Sequence, residues 1–220
     1  MPTERFFNLP EEKKQRVLDA AAAEFSRVPF DQVSINQIIQ SAGIPRGSFY
    51  QYFEDKLDLL GYLLRDFCGE AEKAVLTVIR ETDGDIFVLF RTLLSLTVEY
   101  GFRKDYRPMF QNIFPHMKLH SNRELFPYFH VDLQNPFKYS EGTTKEVLQT
   151  ILHSRHYTGI PRRDLLDMME LLVALLQYTV SQIFYHMELK DSICESFDNK
   201  LAILKRGLTG KEARHVEIQC

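Results

Sequence analysis

The chain has 220 residues, a formal net charge of −3, 45% hydrophobic residues and 26% charged ones. That length buries a sizeable core and accommodates a small recognition domain beside a larger one, and the composition excludes an intrinsically disordered chain. The acidic balance excludes a broadly basic nucleic-acid coat, but not a local attractive surface, because phosphate attraction depends on the face presented.

In chain order, Asn8 with Glu11 has capping-box spacing and Pro10 suits a first turn, which predicts a first helix opening between Asn8 and Pro10. Val17, Ala21, Phe25 and Val28 form its stripe, and the residues before it, Thr3 and Arg5 among them, could reach phosphate but read better as a frayed terminus. From Ser34 to Lys56 the pattern predicts two short helices joined by a tight turn. Ser34 and Gln37 form a capping box, Ile35, Ile38, Ile39 and Ala42 share a face, and Gly43 ends the helix. Pro45 opens the second helix, which buries Phe49 and Phe53. This is helix-turn-helix geometry, which commonly places its second helix in the DNA major groove. Glu54, Asp55 and Lys56 open the next helix. Lys56 opposes the dipole there, so an external phosphate explains it better than helix stability does. Leu57, Leu60, Leu64, Phe67, Ala71 and Val78 continue one long connecting helix, a lever between head and body.

The stretch VLDAAAAEFSRVPFDQVSINQIIQSAGIPRGSFYQYFEDKLDLL resembles the TetR family of transcriptional regulators: an alanine-rich helix, an aromatic residue before the motif, a glycine turn, an aromatic-rich recognition helix and a lysine. Pro29 departs from the glycine usual before the aromatic Phe30. The resemblance implies DNA contacts from Ser34, Gln37, Arg46, Gly47, Ser48, Tyr50, Gln51, Tyr52 and Lys56. The residue chemistry agrees. Arg46 has a donor fork for guanine or phosphate, Gln51 suits adenine, and Gly47 lets a backbone approach closely.

Beyond a break at Glu81–Asp85, Ile86–Tyr100 reads as a buried helix carrying Phe87, Phe90, Leu94 and Val98. A second segment, Asp105–His120, carries Tyr106, Met109, Phe110, Ile113, Phe114 and Met117, shortened or kinked by Pro108 and Pro115. The stretch LFPYFHVDLQNPFKYSEGTT reads as short helical and loop pieces. The seventeen Phe and ten Tyr exceed what the head needs and suit an adaptable apolar pocket. Its candidate lining is Phe90, Phe110, Phe114, Tyr157 and Gln177, with Arg155 and His156 as a polar corner. His116 with His120 and His153 with His156 have ligand-like spacings, but no further ligands single either pair out, so no metal is expected. Pro161, Asp164 and Asp167 open a penultimate helix, and Ser192 with Glu195 caps the last one. Leu165, Leu172, Leu176, Ile183, Phe197, Leu201, Leu204 and Leu208 form the candidate seam of a four-helix dimer interface.

The expectation is an all-α protein: a three-helix DNA-binding head with a helix-turn-helix motif over residues 1–55, a ligand-binding and dimerisation body over 56–210, and a frayed tail over 211–220. Cys68, Cys194 and Cys220 are odd in number and far apart, which fits a reducing cytoplasm, and neither a signal peptide nor a membrane span is expected. The predicted partners are double-stranded operator DNA, a second copy of the chain and a small apolar or amphipathic effector, with no cofactor. A transcriptional repressor released by that effector is the leading function, and control by a protein partner is the alternative. An enzyme is disfavoured because no nucleophile, base and orienting group share a catalytic sequence context. Activation instead of repression depends on operator position, which the chain does not encode.

Overall fold

The computed structural model describes residues 2–116 and 143–210, all helix, turn and loop. Calls on Met117, His120, the 125–142 stretch and the 211–220 tail lie outside the described residues. The head comprises α1 (Glu4–Phe7), α2 (Glu11–Arg27), a 3-10 turn (Phe30–Gln32), α3 (Ile35–Ala42) and α4 (Arg46–Tyr52). The body follows as α5 (Lys56–Leu63), α6 (Arg65–Glu81), α7 (Ile86–Phe102), α8 (Arg107–Ile113), α9 (Thr143–Leu152), α10 (Arg162–Tyr185) and α11 (Lys190–Thr209).

The N-terminus differs from expectation. Asn8 ends α1 and caps nothing, while Pro10 precedes α2 without a side-chain cap. The reason is Phe6, which is fully buried and ties the first turn to the head. The connector also differs, since it is two helices meeting at Leu64. The Arg65 guanidinium donates to the Tyr62 carbonyl at 3.0 Å, closing the end of α5 while α6 begins. Asp55 caps α5, accepting from the Leu57 and Asp58 amides at 2.8 Å, and Asp58 reciprocates by accepting from the Glu54 amide at 3.1 Å. At the far end, α11 begins at Lys190 after a 3-10 turn, so Ser192 sits inside the first turn and is not its cap. Helix α9 was not read from the sequence at all.

Helix α10 is the centre of the body and packs on α7, α8 and α11. Its 24 residues are long and apolar enough to cross a membrane by composition, yet half of its most apolar window is buried against the rest of the chain. The α7–α10 approach is close because position 101 has no side chain. A Cβ at Gly101 would lie 2.1 Å from the Phe184 ring and 2.7 Å from the Phe110 ring. Around that contact Phe67, Tyr100, Phe110, Phe114 and Phe184 form one aromatic cluster with centroids 4.8–5.8 Å apart.

Among the described residues, the head packs on the body through α2 against α5 and through α2 against α8, where the Asn112 amide donates to the Ser26 carbonyl at 2.6 Å. Gly101→Ala is expected to destabilise the chain by about 1–3 kcal/mol through overpacking. Urea unfolding measures the loss.

Candidate nucleic-acid interface

The recognition unit is held from below by a buried carboxylate. Glu24, only 3% exposed, takes two hydrogen bonds from Arg27 at 2.9 Å and one from the Ser34 amide at 3.1 Å. The Ser34 hydroxyl accepts from the Gln37 amide at 3.3 Å. The capping box is thus completed by Glu24 of α2, while the Gln37 side chain donates instead to Ser41. Gly43 closes α3 at φ +64°, a left-handed position that glycine takes without strain. Pro45 then starts α4 in extended backbone.

On α4 the expected two faces separate. Phe49 and Phe53 are fully buried, whereas Arg46, Gly47, Tyr50 and Gln51 are exposed and Ser48 is half-buried. Tyr50 is 59% exposed, and a Cβ at Gly47 would meet nothing of the chain. Ser34 is half-buried and Gln37 exposed at the edge of the same unit. Tyr52 is a correction. It is 6% exposed, with its ring 6.1 Å from Phe6, because two positions beyond Tyr50 the helix has turned inward. Lys56 also reads differently: its ammonium donates to the carbonyls of Phe30 at 2.8 Å and Asp31 at 3.3 Å, and lies 4.8 Å from the Phe30 ring centre. An internal clamp on the 3-10 turn therefore explains its place at a helix start without any phosphate.

In the body, the expected polar corner is a latch. Arg155 donates to Asp83 at 3.0 Å and is largely solvent-exposed, and His156 Nε2 bonds the Thr82 carbonyl at 2.8 Å. Both groups are spent on the α6–α7 turn. His153 Nδ1 likewise faces the Gln149 carbonyl at 2.7 Å, so the two imidazoles do not converge as a ligand pair. The hydrogen bonds from Arg155 hold the Asp83 carboxyl below its usual range. Tyr157 is buried, and its hydroxyl accepts from the Ile86 amide at 2.9 Å. Burial pushes its phenol well up, so it remains neutral. Asp85 caps α7 and pairs with Lys205 of α11 at 2.7 Å. Burial pushes this carboxyl up, but Lys205 and the helix amides outweigh that and hold it low. Its pairing therefore stabilises the fold above the usual aspartate range and fades as pH falls through the lowered value.

Phe110 is fully buried in the aromatic cluster, Phe114 is half-buried there and Phe90 is buried on α7. Gln177, two turns before Phe184 on α10, has a buried Oε1 with no hydrogen-bond partner among the described residues. A cleft of about 600 Å³ lies between the start of α10 and the end of α11, lined by Pro161, Asp164, Met168, Leu171 and Gly207 among others. None of the effector candidates lines it. Cys68, half-buried, has its thiol pushed up by burial to about 11, which keeps it protonated. No group of three or more His, Cys, Asp or Glu close enough for a metal occurs among the described residues.

The residues of the expected dimer seam pack within their own chain. Leu165, Leu172, Leu176, Ile183, Phe197 and Leu201 are buried in their own chain, and Leu204 and Leu208 are half-buried against the same core. The same stripe is the face by which α10 and α11 pack on each other and on α7.

The head matches a family model described as "Bacterial regulatory proteins, tetR family" over residues 17–63. The body matches one described as "Tetracyclin repressor-like, C-terminal domain" over residues 85–208, more than half of the chain. The chain belongs to the TetR family. Its head carries the helix-turn-helix unit that the family model matches. Among curated TetR-like proteins, the chain is 34% identical over 70 residues to the uncharacterized HTH-type transcriptional regulator YdgC of Bacillus subtilis (strain 168), covering 32% of this chain and 36% of that protein. It is 29% identical over 109 residues to the HTH-type transcriptional regulator AcrR of Shigella flexneri, covering 48% of this chain and 49% of that protein. The chain thus spans about a third to a half of these relatives' length. A TetR family regulator from Chloroflexus aurantiacus J-10-FL has a crystal structure that aligns with 94% of this chain and 98% of its own, at 24% identity and a TM-score of 0.41.

Lys56→Met is expected to destabilise the DNA-free head by about 1–2 kcal/mol, since two carbonyls lose a charged donor. Thermal unfolding without DNA gives the answer; an unchanged melting point would show that the clamp contributes nothing.

Proposed function

We propose that two copies of the chain bind a palindromic operator, act as a repressor and are released by a small, mainly apolar effector. The head over residues 1–55 reads DNA, and the body over 56–210 dimerises and binds the effector. The observation that carries the first part is the α4 surface. Arg46, Gly47, Ser48, Tyr50 and Gln51 are presented outward while the aromatic partners on the same helix form the core. Arg46 suits guanine or phosphate, Gln51 suits adenine, and open space beside Gly47 admits the wall of a groove. Ser34 and Gln37 supply phosphate contacts at the start of α3. One short recognition helix reads few base pairs, so affinity requires a second copy, and two-fold symmetry makes the operator a palindrome.

The surface for that copy is the outer face of α10 and α11. Leu171, Tyr178, Tyr185 and Ile203 are large apolar residues more than half exposed, and Leu175 between them is half-buried. Leu171, Leu175, Tyr178 and Tyr185 follow helical spacing on one side of α10. Tyr178→Glu or Ile203→Glu is expected to split the dimer and leave a folded monomer, because an ionised group would be buried unpaired in an apolar seam. Leu201→Glu is expected to unfold the chain instead. Sedimentation together with circular dichroism separates the two outcomes.

The effector reading draws on the aromatic cluster and on Gln177. An unpaired buried acceptor costs about 1–3 kcal/mol, a penalty that a ligand carrying a hydrogen-bond donor removes. Phe110 and Phe114 would have to part to admit such a ligand, and Phe90 would border it. Gln177→Met is expected to raise the melting temperature of the ligand-free protein, and differential scanning calorimetry checks the sign. For the whole reading, duplexes selected from a random pool should yield a palindrome whose binding is lost with Arg46→Ala or Gln51→Ala. Compounds screened against that complex should then release it. A selection that enriches no sequence would overturn the operator reading.

A further inference from the structure

Helix α4 lacks the left-handed glycine that closes α3, because its C-cap, Phe53, is extended. Its last carbonyls have no partner within the helix and need donors from elsewhere. Both donors come from one residue at the start of the chain. The Thr3 hydroxyl donates to the Gln51 carbonyl at 2.5 Å across 48 positions of sequence, and the Thr3 amide donates to the Tyr52 carbonyl at 2.9 Å. Thr3 is held in turn by α1, since its own carbonyl accepts from the Phe6 amide at 3.0 Å and the Phe7 amide at 3.4 Å. The buried Phe6 ring lies 4.7 Å from Phe53 and 5.3 Å from Tyr62, centre to centre. Helix α1 is therefore wedged between the end of the recognition helix and the C-terminal turn of α5. It lies outside the span that the regulatory family model matches, which begins at residue 17.

We infer that Thr3 is a positioning residue for operator reading, fixing the pitch of α4 and with it the reach of Tyr50 and Gln51 to base edges. Seven residues make too few internal hydrogen bonds to hold a helix alone, so its geometry is set by what grips its ends. At the front that is the Gly43–Pro45 turn. At the back it is Thr3. The Gln51 carbonyl is clamped and its side chain is the proposed reader of adenine, so a loosened clamp moves the reading group directly. A phosphate contact elsewhere on the head tolerates such a shift better than a bidentate base contact does. The inference rests on the proposed reading through α4.

The test uses the full chain, the selected operator, operators with single base-pair changes and a random duplex, with binding followed by fluorescence anisotropy. Thr3→Val is expected to weaken operator binding about tenfold, the equivalent of one net hydrogen bond, and to blunt the preference for the correct base pairs. Random-duplex affinity and the salt slope should stay at wild type. Thr3→Ser, which keeps the hydroxyl, should restore both affinity and preference. Thr3→Ala removes the same hydroxyl without adding a methyl and serves as the second variant. Wild-type discrimination in either folded variant overturns the inference, and so does an equal loss on operator and random duplex, which would mark Thr3 as a phosphate contact or a simple prop. Arg46→Ala and Gln51→Ala on the same duplexes test the underlying reading separately. If those two bind the operator as wild type does, α4 is not the reader and the inference falls with it, whatever Thr3→Val shows.

Discussion

The head depends on one buried carboxylate. Glu24 sits among apolar side chains, where an unpaired charge would cost several kcal/mol, so its three hydrogen bonds have to be made for the head to fold. Meeting that demand fixes the start of α3, because one partner is the Ser34 amide. The entry angle of α3 then fixes where Gly43 turns the chain and where α4 emerges. Lys56 performs the matching task for the loop between α2 and α3, tying the Phe30 turn to the first residue of the body. Two charged side chains, each spent on backbone groups of a distant segment, thus hold the recognition unit at a set angle to α2 and α5.

The sequence displayed this unit in outline and hid its fastenings. Periodicity placed Ile38, Ile39, Phe49 and Phe53 inside, and Gly43 marked the turn, since these signals are local and the helix period reports them directly. Glu24 and Lys56 looked like ordinary surface charges of an amphipathic helix and a helix start. Their partners lie 10 and 26 positions away, and no local rule connects them. Tyr52 is hard to place for a related reason: four aromatics within RGSFYQYF, interrupted only by Gln51, leave little polar alternation to say which ring turns inward.

In the body the same limit has a different form. Helix α10 is apolar on most of its circumference, so a stripe such as Leu165, Leu172, Leu176 and Ile183 is equally compatible with the chain's own core and with a partner. Only the packing of α7 and α11 shows that this stripe is used up inside, which leaves Leu171, Tyr178 and Tyr185 outside. Arg155 and His156 misled because polar groups beside a buried tyrosine resemble a pocket corner. Their acceptors, Asp83 and the Thr82 carbonyl, are supplied by a turn more than 70 positions earlier.

The contacts of α2 with α5 and α8 set the routes by which the proposed switch would reach the head. The expected single lever is replaced by a pair of helices meeting at Leu64 and by a second contact in which Asn112 of α8 holds the Ser26 carbonyl near the end of α2. Phe110 and Ile113 on α8 face the core while Asn112 on the same helix faces the head, so if the proposed effector displaced the aromatic cluster, α8 would be the route to α2. A hundredfold change in operator affinity corresponds to about 2.7 kcal/mol of coupling. That is the net worth of two or three hydrogen bonds at about 1 kcal/mol each. Under the proposed release by an effector, changes at the α2–α8 contact and at the α5–α6 junction would have to supply it, with the Glu24 anchor holding the recognition unit together.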